Sequence, residues 1–108
     1  MRLYHNPRCS KSRQALALLN ERDIDFEVYL YLKIGISEDD IDLLSSLDGI
    51  IRKNDLEKDS NIDFSDNEEV SKLLKTQPKL LQRPILVLGD KAVIGRPPEN
   101  ILTLLHDA

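Results

Sequence analysis

The chain has 108 residues, a formal net charge of −4 and a charged fraction of 31%, the composition of one globular domain. The acidic balance argues against a general nucleic-acid binder, and no apolar run reaches the length of a membrane span. A single cysteine excludes an internal disulfide, and the N-terminus lacks the apolar stretch of a signal peptide, so the expected setting is the cytoplasm.

The charge is unevenly spread. Residues 1–13 hold four bases and no acid, residues 37–72 hold twelve acids against four bases, and residues 75–98 hold five bases against one acid. If folding joins the two basic ends, an acidic protein gains a small cationic pocket. The acidic middle fits a solvated helical face.

In chain order, residues 2–5 read as a short strand that delivers the loop His5-Asn6-Pro7-Arg8-Cys9-Ser10-Lys11-Ser12-Arg13. A helix is predicted over 10–22, with Ala15, Leu16, Leu18 and Leu19 as its apolar stripe. Residues 24–31 alternate, with Ile24, Phe26, Val28 and Leu30 on one side, which predicts a strand. Strand, helix and strand in about thirty residues predict a right-handed βαβ unit with parallel strands. A loop with Gly35 follows, and Ser37 is the expected N-cap of a helix through Ile41, Leu44 and Leu47. Gly49 ends it, and a short helical piece is predicted at 50–52.

Residues 53–65 read as mostly loop. Ser65-Asp66-Asn67-Glu68 has the pattern of a capping box before a helix that ends near Pro78. Residues 84–88 predict a buried strand, Gly89-Asp90 a hairpin turn, 92–94 the returning strand and 99–105 a closing helix. The expected fold is α/β: a thioredoxin-like mixed sheet of about four strands in one domain over 1–108, with a helical insertion at about 37–76.

Cys9 carries the chemistry. Between a strand end and a helix N-terminus a thiol meets unpaired backbone N–H groups and a positive partial charge, both of which favour the nucleophilic thiolate. Arg8, Lys11 and Arg13 add positive charge, His5 is a titratable neighbour, and Ser10 and Ser12 offer hydroxyls to an incoming anion. A lone cysteine is more often a small buried hydrophobe, so its company decides. Arg52, Arg83 and Arg96 stand at loop positions beside Gly or Pro or at an element's end. In a thioredoxin-like sheet Arg83 would lie beside Cys9, and Arg96 would reach the same mouth. Guanidinium forks suit a tetrahedral oxyanion because they bind oxygen pairs and stay charged. His5, Cys9 and His106 share no zinc-ligand spacing, so no metal site is expected. His106 reads as a helix-end residue, and nothing points to a nucleotide or flavin.

The nonamer at 5–13, followed in order by Ile51-Arg52-Lys53-Asn54, Arg83-Pro84-Ile85 and Ile94-Gly95-Arg96-Pro97-Pro98-Glu99, resembles the glutaredoxin- and glutathione-dependent arsenate reductases over nearly the whole chain. The resemblance implies an oxidoreductase of thioredoxin-like fold that converts arsenate to arsenite. Cys9 would be its nucleophile, Arg52, Arg83 and Arg96 its oxyanion ligands, and His5 with Arg13 the groups that tune the thiolate. Glutathione would be the co-substrate, glutaredoxin the protein partner, no cofactor would be bound, and the Arg83-Pro84 bond would be cis. The residues agree on one point independently. Without a second cysteine, Cys9 needs an external thiol to restore it. Better-studied members carry glycine and threonine where this chain has Ser10 and Lys11, a departure that bears on which anion fits. The alternatives are a glutathione-dependent thiol or disulfide reductase without arsenate activity, and a polymerase-binding regulator. The related regulators carry a Cys-x-x-Cys switch, which Ser12 interrupts here.

Overall fold

The computed structural model describes residues 1–56 and 61–105. Four short strands form one mixed sheet in the order β2-β1-β3-β4, with β1 at Arg2–Tyr4, β2 at Glu27–Tyr29, β3 at Ile85–Leu88 and β4 at Lys91–Ile94. β1 runs parallel to β2 and antiparallel to β3, and β3–β4 is the hairpin turned at Gly89, whose φ of 61° suits glycine. α1 spans Ser10–Glu21 and crosses from β1 to β2 as the parallel pairing requires.

The period-two rule sorts the core. Leu3 and Leu86, directly opposite in the β1–β3 ladder, face Ala15 and Leu19 of α1 together with Ile101 and Leu104 near the C-terminal end. Tyr4, Ile85 and Val87 point the other way, into a second cluster built from the segment between β2 and β3. That segment carries α2 (Tyr31–Ile34), α3 (Ile41–Ser45) and α4 (Asn67–Thr76). Asp40, buried at the start of α3, ties the two halves. It accepts from the Tyr4 hydroxyl at 2.6 Å and pairs with Arg2.

Several boundaries differ from the sequence expectation. The second strand stops at Tyr29, not 31, because its partner β1 is only three residues long and the chain then turns into α2. As an edge strand it leaves Val28 42% exposed. Ser37 does not cap α3. Residues 38–40 form a turn whose Asp40 carboxylate is held by Tyr4 and Arg2, and the helix begins after it. The capping side chain of α4 is Asp66, one residue beyond Ser65, accepting from Glu68 N–H at 3.0 Å. The closing helix opens as a 3₁₀ turn, Pro98–Ile101, before α5 (Leu102–Leu105). His106 lies outside the described residues, as do residues 57–60 of the predicted loop.

The most consequential difference is at 50–52. These residues are extended, not helical: Ile51 bridges antiparallel to Leu81, Arg52 N–H donates to Leu80 O at 2.8 Å, and Gln82 N–H donates to Ile50 O at 2.7 Å. Ile50 and Ile51 are both buried, which a bridge between packed layers accommodates. The bridge lays Arg52 alongside the chain that leads into Arg83.

Candidate active site

The loop 5–9 is shaped by its own polar groups. Asn6 Oδ1 accepts from Arg8 N–H at 3.0 Å, and Cys9 N–H donates to Asn6 O at 3.0 Å. This Asx-type turn sets Cys9 as the N-cap of α1, in extended geometry (φ −93°, ψ 121°) and without a side-chain cap. The first-turn N–H groups are therefore free to face the sulfur. Burial, the largest single influence, pushes the half-buried thiol up. Hydrogen bonds from the backbone N–H of Ser12, the Arg83 side chain and the backbone N–H of Lys11, with the Arg83 charge, outweigh it and hold the thiol below its ordinary value.

Arg96 closes the other side. Its Nη2 lies 3.7 Å from Cys9 Sγ, while its Nε donates to Arg83 O at 2.8 Å, so one guanidinium edge is anchored and the other faces the thiol. Asn100 Nδ2 donates to Arg96 O at 3.1 Å and steadies the same loop. Gly95 is required here by packing. A Cβ at that position would stand 2.8 Å from Pro84 Cγ and 3.0 Å from Ile101 Cγ2. The peptide bonds Arg83-Pro84 and Arg96-Pro97 are both cis; only the first is expected from the sequence.

Arg52 is a step further out. Its Nε pairs with Asp55 at 3.0 Å, its Nη1 donates to Gln82 Oε1 at 3.3 Å, and it shares a cavity of about 400 Å³ with Arg96, Lys53 and Asn54. Asp55 also approaches Arg83 Nη1 at 3.9 Å, so one carboxylate bridges two of the three arginines. Asp55 and Gln82 are absent from the sequence reading. The bridge at Ile51 creates their roles, and no local pattern announces them.

The remaining loop residues take varied places. Ser10 is exposed at the first residue of α1. Ser12 is fully buried, and its hydroxyl sits 2.7 Å from His5 Nδ1 while accepting from Asn6 N–H at 3.0 Å, so it faces the loop's interior and not the mouth. Its backbone N–H, not its side chain, reaches Cys9. Burial holds His5 below its ordinary value against a hydrogen bond at Ser12, and the nearby Arg13 charge lowers it further. His5 and Cys9 are thus linked through Ser12. Arg13 is exposed, its Nη1 donating to Pro7 O at 2.9 Å, where it fastens the loop. Among the described residues no group of three or more His, Cys, Asp or Glu gathers as a metal site, and no helix is long and apolar enough to cross a membrane.

A four-stranded mixed sheet with a cysteine at the N-terminus of its first helix, faced by a cis-proline loop, defines a thioredoxin-like protein; the flanking guanidiniums give it a cationic mouth. The comparisons narrow the class. The ArsC family model matches residues 4–104, and the chain belongs to that family. An arsenate reductase of Haemophilus influenzae is 40% identical, over 95% of this chain and 97% of its own length. The uncharacterised protein YfgD of Escherichia coli K12 is 42% identical over 97% and 96%. The solved arsenate reductase of Vibrio cholerae superposes with a TM-score of 0.76 at 32% identity, covering 95% of this chain and 97% of that one.

Proposed function

We propose that the protein reduces arsenate to arsenite with Cys9 as nucleophile, glutathione as reductant and glutaredoxin as the protein that restores the thiol. The observation that carries this reading is the placement of Cys9 as the N-cap of α1 with Arg96 Nη2 3.7 Å from its sulfur; the Arg83 hydrogen bond and charge, which help hold the thiol below its ordinary value, agree with it. A thiolate beside donors that cannot deprotonate can attack an anion, because the donors offset the repulsion between the two negative charges. Relatives named arsenate reductase support arsenate as that anion.

In the first step the Cys9 thiolate forms a sulfur–arsenic(V) bond, and one arsenate oxygen leaves as water after taking up protons. The arginines hold the oxygens that remain. Arg96 and Arg83 are nearest the sulfur, and Arg52 reaches the same mouth once Asp55 yields its place. A glutathione thiolate then attacks the Cys9 sulfur. The sulfur–arsenic pair of electrons stays on arsenic, which departs as arsenite, two electrons reduced, and Cys9 is left as a mixed disulfide with glutathione. A glutaredoxin thiol takes the glutathione and frees Cys9. The absence of a second cysteine supports an external thiol at this stage.

The test is NADPH oxidation coupled through glutathione reductase, glutathione and glutaredoxin, with and without arsenate. Arsenate-dependent turnover that disappears in Cys9→Ser is expected. Arg96→Gln should raise the arsenate requirement far more than Arg22→Gln, which alters an exposed residue at the far end of α1. Turnover of a disulfide substrate without any arsenate response would replace this reading with the thiol-reductase one.

A further inference from the structure

Among the described residues, only two buried side-chain nitrogen or oxygen atoms lack a hydrogen-bond partner: the Tyr31 hydroxyl and Arg83 Nε. Both carry a proton to donate, and they belong to one neighbourhood. The charges that act on the Tyr31 hydroxyl are those of Arg83, Cys9 and Arg52. Buried polar groups in native folds are nearly always paired, so two unpaired donors around one reactive sulfur point to an acceptor that arrives from outside.

Tyr31 is fully buried, with 0% of its surface exposed, on the inner side of the second core cluster. Burial, only partly countered by Arg83, pushes its phenol up to about 12, so at neutral pH it is an uncharged O–H donor. The Asn6 carboxamide stands near enough to lower the phenol somewhat, and no acceptor faces the phenol's own proton. The contrast with Tyr4, whose ring centroid is 6.1 Å away, is instructive. Tyr4 donates to Asp40 at 2.6 Å and accepts from Ser37 N–H at 3.2 Å. Of these two buried tyrosines, the protein satisfies one and leaves the other open.

We infer that the Tyr31 hydroxyl, with Arg83 Nε, donates to an oxygen of the oxyanion bound against Cys9, and so makes the site selective for tetrahedral oxyanions. The inference rests on reading Cys9 and its arginines as an oxyanion site. Guanidiniums supply charge to any anion; a fixed neutral donor adds direction, and binds only a ligand that places an oxygen at its depth.

The experiment is protection of Cys9 from iodoacetamide, an uncharged alkylating reagent, by increasing arsenate, in the wild type, Tyr31→Phe and Tyr4→Phe. Arsenate should protect the wild type. Y31F should need about ten- to a hundred-fold more arsenate, as expected for one lost hydrogen bond to a charged acceptor. Its alkylation rate without arsenate should match the wild type, and its thermal midpoint should hold or rise, because an unpaired buried group has been removed. Y4F should be protected like the wild type. Equal protection of wild type and Y31F overturns the inference and leaves the oxyanion reading standing. An altered rate without arsenate, or the same loss in Y4F, also overturns it, since the effect would then belong to the thiol or to packing. No protection of the wild type overturns both.

Discussion

Arg96 Nη2 stands 3.7 Å from Cys9 Sγ although 87 residues separate them in the chain. Three contacts hold the pair. Cys9 is fixed by the turn at Asn6, Arg96 by its Nε bond to Arg83 O, and Gly95 lets the Arg96 loop press against Pro84. The cationic mouth of an acidic protein is therefore made by sheet order. β1 and β3 are neighbours, so the basic start of the chain meets the basic stretch near its end.

The thiol's acidity depends on Arg83. Alkylation of Cys9 as a function of pH should show a midpoint below the free-thiol value of about 8.5. Arg83→Gln should move it upward, because both a hydrogen bond and a positive charge are removed from the thiolate. An unchanged midpoint in R83Q would assign the effect to the helix N-terminus alone.

Asp55 pairs with Arg52 at 3.0 Å and approaches Arg83 at 3.9 Å, so under the proposed function it would compete with an incoming anion for both. Partly exposed ion pairs of this kind contribute about 0.2–1 kcal/mol. Asp55→Asn should therefore lower the arsenate KM by about 1.5- to 5-fold with little change in kcat. A raised KM would show that Asp55 orients the arginines and does not block them.

His5 makes stability depend on pH. Its folded pKa lies below its ordinary value of 6.5, so the unfolded chain binds the proton first. Stability should fall as pH drops below 6.5 toward the folded value, and be indifferent to His5 above that range. Denaturant melts at a series of pH values, with His5→Gln as reference, measure it. A pH slope in that window identical in both proteins would falsify the assignment.

Gly95→Ala should destabilise by about 1–3 kcal/mol, the usual penalty of overpacking, because the new methyl meets Pro84 and Ile101. The same change displaces the Arg96 loop, so arsenate turnover should fall more steeply than stability. Alanine at the open position Gly49 is a poor control, since φ there is 76°; Lys91→Ala, on an exposed site of β4, is a better one.

What could be read in the sequence was what depends on local pattern. Ala15 and Leu19 at helical spacing, Gly89-Asp90 between two apolar runs, and the nonamer around Cys9 each carry their structure within a few residues. What could not be read depends on partners distant in the chain. Ile50 and Ile51 look like one more helical turn until Leu81 supplies an antiparallel partner. Ser12 looks like an anion ligand until His5 and Asn6 claim its hydroxyl. Tyr31 looks like the polar side of a strand until β1 proves too short to pair it. In each case a tertiary contact decides between local options of similar energy.

Whether Cys9 reduces arsenate is decided most simply by a single turnover without glutaredoxin. The protein is mixed with glutathione and arsenate, Cys9 is followed by mass spectrometry, and released arsenite is measured. The expected result is a glutathione mixed disulfide on Cys9 that forms only with arsenate, in step with one arsenite per protein. A mixed disulfide that forms equally without arsenate, with no arsenite released, would contradict it.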